Sequence, residues 1–476
     1  MKRPLCFLSI SLILGVLARE YISSIYFLAF FLIAVFTFSY VLMLKTGCKE
    51  ALMLPAAFAL GLIIMGNSIN TVHQDIRYFG EVHAEAVVER VSKSYSGEKI
   101  IVNVKNVAIA GDVFNTDFKT VVYTQNTYNG ESGDIVEFKG VFTLPDEKTE
   151  SGFNEKQYLG IRNIDYKVYT DSLIPTGKRE DGIKYFLLGL RDSVMDVYDN
   201  IMPQEEAGIL KAIIAGDKSY MSKDMLSLFR NAGLSHILAV SGLHVSIFTV
   251  SLFWVLNEIL NIGKRKAAFI VSLFVICYTI IVGGSPSCMR AAVSSIIALF
   301  GIIIFKESDA LNSLSIGIII LIILNPLVVH DIGFQMSFIA TFFIIITFWA
   351  SGSNALSMAF AAISLFPLTA YYYNEVFLAG IISSFLVVLF CGYVVGFGML
   401  AGIAGLFSTE AARFLGGIVF AVLKYFEMVS YFADKLEFLK FRPSVPKLIH
   451  IAAYYAIILG FLYTVSIIRL RLKKEK

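Results

Sequence analysis

Apolar runs about as long as a bilayer is thick recur along this chain, and no other feature restricts its fold as strongly. They lie near residues 5–18, 21–44 and 51–66, and again near 235–262, 267–283, 288–305, 312–329, 333–349, 354–370, 376–407 and 449–468. Inside a hydrocarbon layer every backbone N–H and C=O must be satisfied within its own segment, so runs of this length form helices. The chain is a polytopic α-helical membrane protein of about ten or eleven spans. In the 376–407 run, Gly392, Gly396 and Gly398 are candidate break points between two helices.

Between the first three runs and the rest, residues 67–234 are polar enough to be soluble. Segments 81–91, 99–109, 118–124 and 134–142 alternate apolar and polar residues at the strand period. A short helix over Asn154–Gly160 and a fifth strand over Asp165–Asp171 follow. Five strands with a helix before the last predict a small OB-like β-barrel. The expected division is 1–66 as N-terminal transmembrane helices, 67–175 as the OB-like barrel, 176–232 as amphipathic or soluble helices, and 233–476 as the main transmembrane domain. Within the third part, 182–201 carries apolar residues at helical spacing, which suits either the membrane interface or packing on neighbouring helices.

Charge orients the molecule. Lys2, Arg3, Lys45 and Lys49 flank the first two runs, 263–266 reads Gly-Lys-Arg-Lys, and the chain ends RLRLKKEK. Positively charged connectors stay in the cytoplasm, so both termini are expected there and the barrel outside the cytoplasmic membrane. Lys2 and Arg3 before Leu5–Leu17 also fit a signal peptide. The apolar run that follows almost at once favours a retained hairpin.

The net charge of +3 announces no polyanionic partner, and residues 78–172 hold ten Lys and Arg against fifteen Asp and Glu. That acidic balance argues against a strong electrostatic DNA clamp on the barrel. Tyr95, Tyr123 and Tyr128 are candidates for base stacking, though edge packing is the commoner role for such tyrosines. Five cysteines, Cys6, Cys48, Cys277, Cys288 and Cys391, form no Cys-x-x-Cys pair. Neither a disulfide framework, nor a metal site, nor a cofactor is expected.

Three polar blocks interrupt the apolar segments. The first is GLSHILAVSGLH, residues 233–244, with Ser235, His236, Ser241 and His244. Ser241 and His244 lie three apart, the spacing of a minimal serine and histidine nucleophile. A Gly-x-Ser-x-Gly elbow and an orienting acid are missing, so polar groups lining a cavity or bonding between helices are the preferred reading. The second is GGSPSCMRAA, residues 283–292, in which Arg290 either snorkels to the interface or faces a passage. The third runs from Lys306 through Asp309 and Asn312 to NPLVVHDIGFQMSF, residues 325–338, with Asp331 and Gln335. Asp309 and Asp331 suit helix N-caps.

These blocks, in this order, resemble the competence domain of the ComEC family, the inner-membrane channel through which transforming DNA enters bacteria. AGDKSYMSKDMLSLFRNAGLSHILAVSGLHVSI at 215–247, GGSPSCMRAAV at 283–293, the stretch from ESDALNSLSI to FQMSFIAT ending at Thr341, and FPLTAYYYNEV at 366–376 carry the likeness. SGFNEKQYLGIRNI fits the end of that family's OB domain. The resemblance implies transport of single-stranded DNA during natural competence, with a DNA receptor and a cytoplasmic helicase or ATPase as partners. No Walker-type Gly-x-x-x-x-Gly-Lys-Ser/Thr pattern is present to supply energy within the chain. Many members continue into a metallo-β-lactamase-like domain with a His-x-His-x-Asp-His motif. None of the six histidines here forms His-x-His, so no nuclease activity is expected, and a separate nuclease would have to act beside this short form. The alternatives are a membrane hydrolase or transferase using Ser241 and His244, and a small-solute transporter, for which the sequence shows no convincing internal repeat.

Overall fold

The computed structural model describes residues 4–22, 25–47, 49–70, 80–94, 97–109, 112–128, 130–147, 154–305 and 309–474. Cys48, Tyr95 and Lys306 lie outside them. Among the described residues, ten helices are long and apolar enough to cross a membrane, and Ala310–Leu324 is a shorter apolar one. The molecule is a multi-pass helical membrane protein.

Three helices open the chain: α1 (Pro4–Tyr21), α2 (Ile25–Thr46) and α3 (Leu54–Asn70). Helices α1 and α3 cross where Gly15 and Gly61 face one another, and a Cβ on either glycine would run into the partner's backbone. In a bilayer, where burial of apolar surface drives little, such close backbone contact is a main source of helix association. Helix α1 also packs on the Ala310–Leu324 helix, with Ser315 Oγ donating to Cys6 Sγ at 3.2 Å.

The soluble region contains β1 (Glu81–Ser94), β2 (Gly97–Ile109), β3 (Asp112–Thr124), β4 (Asp134–Val141), α4 (Glu155–Gly160), β5 (Ile164–Tyr169) and β6 (Ile174–Arg179). Asn154 caps α4, its side chain accepting the Gln157 N–H. The sheet order is β5-β3-β2-β1-β4-β6, antiparallel except for the β3–β5 pair. Inward residues such as Val102, Val104, Val122, Val136 and Phe138 fill the core, as the alternation predicts. The closed barrel expected from the sequence is not formed by continuous ladders. The unforeseen β6 takes the outer edge of β4, and β5 reaches the end of β4 only through the single Thr143–Lys167 bridge.

Helices α5 (Ile183–Ile201), α6 (Gln204–Ala215) and α7 (Lys223–Asn231) lead into the bundle of α8 (Gly242–Trp254), α9 (Lys264–Val282), α10 (Pro286–Ile304), α11 (Ala310–Leu324), α12 (Ile332–Ser351), α13 (Asn354–Ser364) and α14 (Phe366–Tyr373). The short strand β7 (Val376–Phe377) precedes α15 (Ala379–Gly405) and α16 (Thr409–Asp434), and β8 (Lys440–Phe441) precedes α17 (Leu448–Lys474). The expected break in the 376–407 run does not occur: α15 is one helix of 27 residues. Gly402 and Gly405 let α5 lie against it through Val194, Tyr198 and Val197, Gly398 meets Leu210 of α6, and Tyr198 donates to Gly398 O at 2.9 Å. Leu187, Leu188, Met195 and Tyr198 of this helix pack on its neighbours, while Ile183 and Phe186 at its start stay exposed.

Two side chains clamp the sheet region to the bundle. Asn325, after α11, donates from Nδ2 to Gly160 O, Ile161 O and Asn163 Oδ1 at 2.9–3.1 Å. Arg90, on β1, donates from Nη2 to Val282 O at 2.9 Å, at the carbonyl end of α9 where a cation is favoured. Burial, then the neighbouring Arg191, lowers the Arg90 pKa, while Asp217, Asp192 and Glu89 oppose that shift. The ends of α9 and α11 that touch the sheet region thus face one side, and the basic Lys264–Lys266 start of α9 faces the other.

Candidate functional site

The three polar blocks meet inside the bundle, and Arg290 is their meeting point. Ser285 caps α10 and Pro286 opens it, so the helix starts at a fixed place and carries Arg290 one turn in. The side chain is 8% exposed. It does not snorkel out: Nε donates to Ser337 Oγ at 2.7 Å, and the guanidinium lies 5.7 Å from the Phe338 ring centroid. Ser287 donates to the same Ser337 Oγ at 3.4 Å. On the other side lies Gly242, where a Cβ would stand 2.5 Å from Arg290 Nη2. Arg290 forms no ion pair with any carboxylate among the described residues.

The first block is not one continuous helix. Residues 235–239 form turns, and α8 starts only at Gly242 with Ser241 as N-cap. Irregular backbone near membrane depth is tolerated where it is covered by protein or lines a wet cavity. Ser235 and His236 are exposed in this turn, and Lys218 reaches it, donating to Ser235 O at 3.4 Å. Burial lowers the Lys218 pKa. His236, whose Nδ1 lies 3.1 Å from Gly233 O, has an accessible surface although protein encloses it, and that enclosure pushes its pKa down.

The structure places Ser241 and His244 as a capping pair at the start of α8. His244 is 1% exposed, its Nδ1 accepts the Ser241 backbone N–H at 3.2 Å, and its Nε2 lies 3.2 Å from Cys391 Sγ on α15. Both ring nitrogens are thus occupied, and neither is left to act as base for the Ser241 hydroxyl.

The third block divides into local caps and one long-range link. Asp309 accepts the Asn312 N–H at 2.9 Å and Asp331 the Phe334 N–H at 2.8 Å, so both carboxylates serve as N-caps. Asn312 keeps a buried Oδ1 with no hydrogen-bond partner among the described residues. Gln335 donates to Val329 O at 2.9 Å and accepts from the Tyr372 hydroxyl at 2.8 Å, tying α12 to α14. His330 Nε2 lies 2.6 Å from Glu20 Oε2 at the end of α1. Arg290 and the first block are therefore brought together, whereas Asp309, Asn312, Asp331 and Gln335 serve contacts of their own. Sequence reasoning missed Ser337, Lys218, Cys391 and the clamp role of Asn325. A hydroxyl inside the apolar α12 was the one local signal for Ser337.

A family model described as "Competence protein" matches residues 213–466, more than half of the chain. The chain belongs to the ComEC-type competence protein family. ComE operon protein 3 of Bacillus subtilis (strain 168) is 27% identical over 354 residues, covering 73% of this chain and 44% of that protein. The chain thus spans less than half the length of that curated relative. No solved structure matches. All three blocks, Lys218 and Cys391 lie inside the competence-family match, while the sheet region precedes it. Among the described residues of this competence protein, no group of three or more His, Cys, Asp or Glu is placed to hold a metal ion.

Proposed function

We propose that this chain conducts single-stranded DNA through the cytoplasmic membrane during natural competence. The observation that carries the reading is Arg290: a guanidinium among packed helices with no carboxylate partner, set where three polar blocks converge. A charge costs free energy at such a place unless it faces a cavity or a counter-ion, and a passing phosphate is a counter-ion of the right sign. Ser235, His236, Ser241 and His244 belong to the wall or support of that passage, with the irregular turn before α8 as its lining. Asp309, Asn312, Asp331 and Gln335 hold the surrounding helices in place.

By the positive-inside rule, the face bearing Lys264–Lys266 and the α17 terminus is cytoplasmic, which puts the sheet region outside. The sheet is an opened relative of the OB arrangement, supported by the parallel β3–β5 pair and by β1 standing between β2 and β4. The chain's functional divisions are the N-terminal helices through Asn70, the sheet region through Arg179, which carries the expected boundary at 175 past β6, the helices α5–α7, and the transmembrane bundle from 233 onward. A DNA receptor feeds the strand, a cytoplasmic helicase or ATPase pulls it, and a separate nuclease removes its complement.

The test uses a competent host whose own ComEC-type protein has been deleted. The full chain should restore transformation, and Arg290→Gln should lower it on the order of tenfold or more at equal protein level, with Arg290→Lys retaining part of the activity. Full transformation by Arg290→Gln sinks the reading.

A further inference from the structure

A row of aromatic and cationic side chains, exposed at Tyr169, Tyr158 and Arg162 and half-buried at Tyr123 and Lys99, crosses the sheet region on the side that carries α4. Lys99 on β2 stands opposite Tyr123 on β3, and Tyr123 stands opposite Tyr169 on β5. The two tyrosine rings stack, with centroids 5.1 Å apart and planes 19° from parallel, and Lys99 Nζ lies 6.0 Å from the Tyr123 centroid. Tyr169 is 63% exposed, so its ring is available rather than packed away. Next to this row, Arg162 lies over the Tyr158 ring at 3.7 Å and donates to Tyr158 O.

The charges sharpen the picture. The region is acidic as a whole, with fifteen carboxylates against ten cations over residues 78–172. Most of its lysines are paired: Lys105 with Asp117, Lys119 with Glu89, Lys139 with Glu81, Lys156 with Glu147, and Lys167 with Asp146 and Glu155. Lys99 and Arg162 form no ion pair among the described residues, and they feel each other: burial first, then Arg162, lowers the Lys99 pKa. Glu155, whose field reaches Lys99, is committed to Lys167 at 2.9 Å. Burial, then Glu155, pushes the Tyr123 hydroxyl up to about 12, so the ring carries no charge against a phosphate. Two neighbouring cations without carboxylates, beside stacked aromatic faces, match what single-stranded nucleic acid offers: flat bases to stack and phosphates to neutralise. Position adds a direction. The turn that follows α4, Gly160–Asn163, is the one Asn325 grips at the edge of the bundle.

We propose that Tyr169, Tyr123 and Lys99, together with Tyr158 and Arg162, form a landing strip for single-stranded nucleic acid that leads it to the bundle at Asn325. The strip rests on the conduit reading for its purpose, but not for its binding chemistry. Duplex DNA, whose bases are already stacked, fits it poorly.

The test measures binding of a short fluorescein-labelled oligothymidylate to the full chain in nanodiscs by anisotropy, across a salt series. Tyr169→Ala should weaken binding about tenfold, and Tyr169→Phe, which keeps the ring, should restore it. Lys99→Gln and Arg162→Gln should each lower the slope of log affinity against log salt by about 0.7. An oligonucleotide carrying 5-iodouracil should photo-crosslink to Tyr169 or Tyr123. Unchanged binding by Tyr169→Ala, equal affinity for a duplex of the same length, or displacement of the probe by neutral dextran, the mark of a sugar-stacking surface, would overturn the strip. The two proposals fail separately. Loss of transformation in Arg290→Gln with no effect of Tyr169→Ala on oligonucleotide binding removes the strip and leaves the conduit. Weakened oligonucleotide binding in Tyr169→Ala with normal transformation in Arg290→Gln does the reverse.

Discussion

Arg290 depends on an absence. Its guanidinium occupies the space that a side chain at position 242 would fill, and Ser337 holds it there from the opposite side. Gly242→Ala should therefore displace the arginine while the helices still assemble. Transformation is expected to fall on the order of tenfold, about 1.4 kcal/mol of lost interaction, with little change in the thermal melt of the purified protein. A melt that collapses instead would make Gly242 a packing residue only. His244 has a different task. Replacing it with Phe leaves the buried Ser241 N–H without its acceptor and Cys391 without its neighbour, at a cost of about 1–3 kcal/mol. Thermal denaturation in detergent reads that loss directly. A serine-directed probe is expected to leave Ser241 unlabelled in the parent protein, and stoichiometric labelling would restore the hydrolase reading.

At the scale of elements, the α1–α3 crossing is the contact most open to disruption. Gly61→Leu would push a branched side chain into the backbone at Leu12, and separation of the two helices should appear as faster hydrogen exchange along α1. The helices themselves were legible in the sequence, because a long apolar run admits one solution in lipid. The strands were legible too, through their alternation. Element ends and partners were less so: β6 is short, mostly exposed and lacks an apolar face, so nothing in Ile174–Arg179 marks it as a strand before β4 offers an edge. The continuity of α15 was misread for a related reason. Glycine weakens a helix in water, but within this bundle the helix runs on through Gly392, Gly396 and Gly398, and Gly402 and Gly405 let α5 approach. Of the site, the polar blocks were visible, whereas the meeting of Gly242, Arg290 and Ser337 joins residues up to 95 positions apart in numbering and has no local signature.

Across the whole molecule, ion pairs and amide clamps tie the sheet region to its surroundings. Glu89 on β1 binds Lys119 at 2.8 Å and also Lys184 on α5. Burial alone would raise its pKa, but the two lysines outweigh burial and hold it below the usual glutamate value. A depressed carboxylate pKa stabilises the folded state above about pH 4.3, the unperturbed value, and that contribution disappears as pH falls through the depressed one. The midpoint of thermal unfolding should therefore drop as the solution is acidified below that point, and Glu89→Gln should flatten part of the drop. Asn325→Ala removes the three Nδ2 contacts to residues 160–163 and the Oδ1 cap on the Leu327 N–H, and should raise hydrogen exchange at residues 160–163 and at Leu327 while leaving the rest of the bundle protected. Asn325 and Arg90 tie the region to the bundle, and Glu89 ties it to α5 through Lys184. Under the conduit proposal, drag on a strand crossing this surface passes through these contacts as load into the helices, and the sheet works as a fixed fairlead whose alignment sets the line of travel.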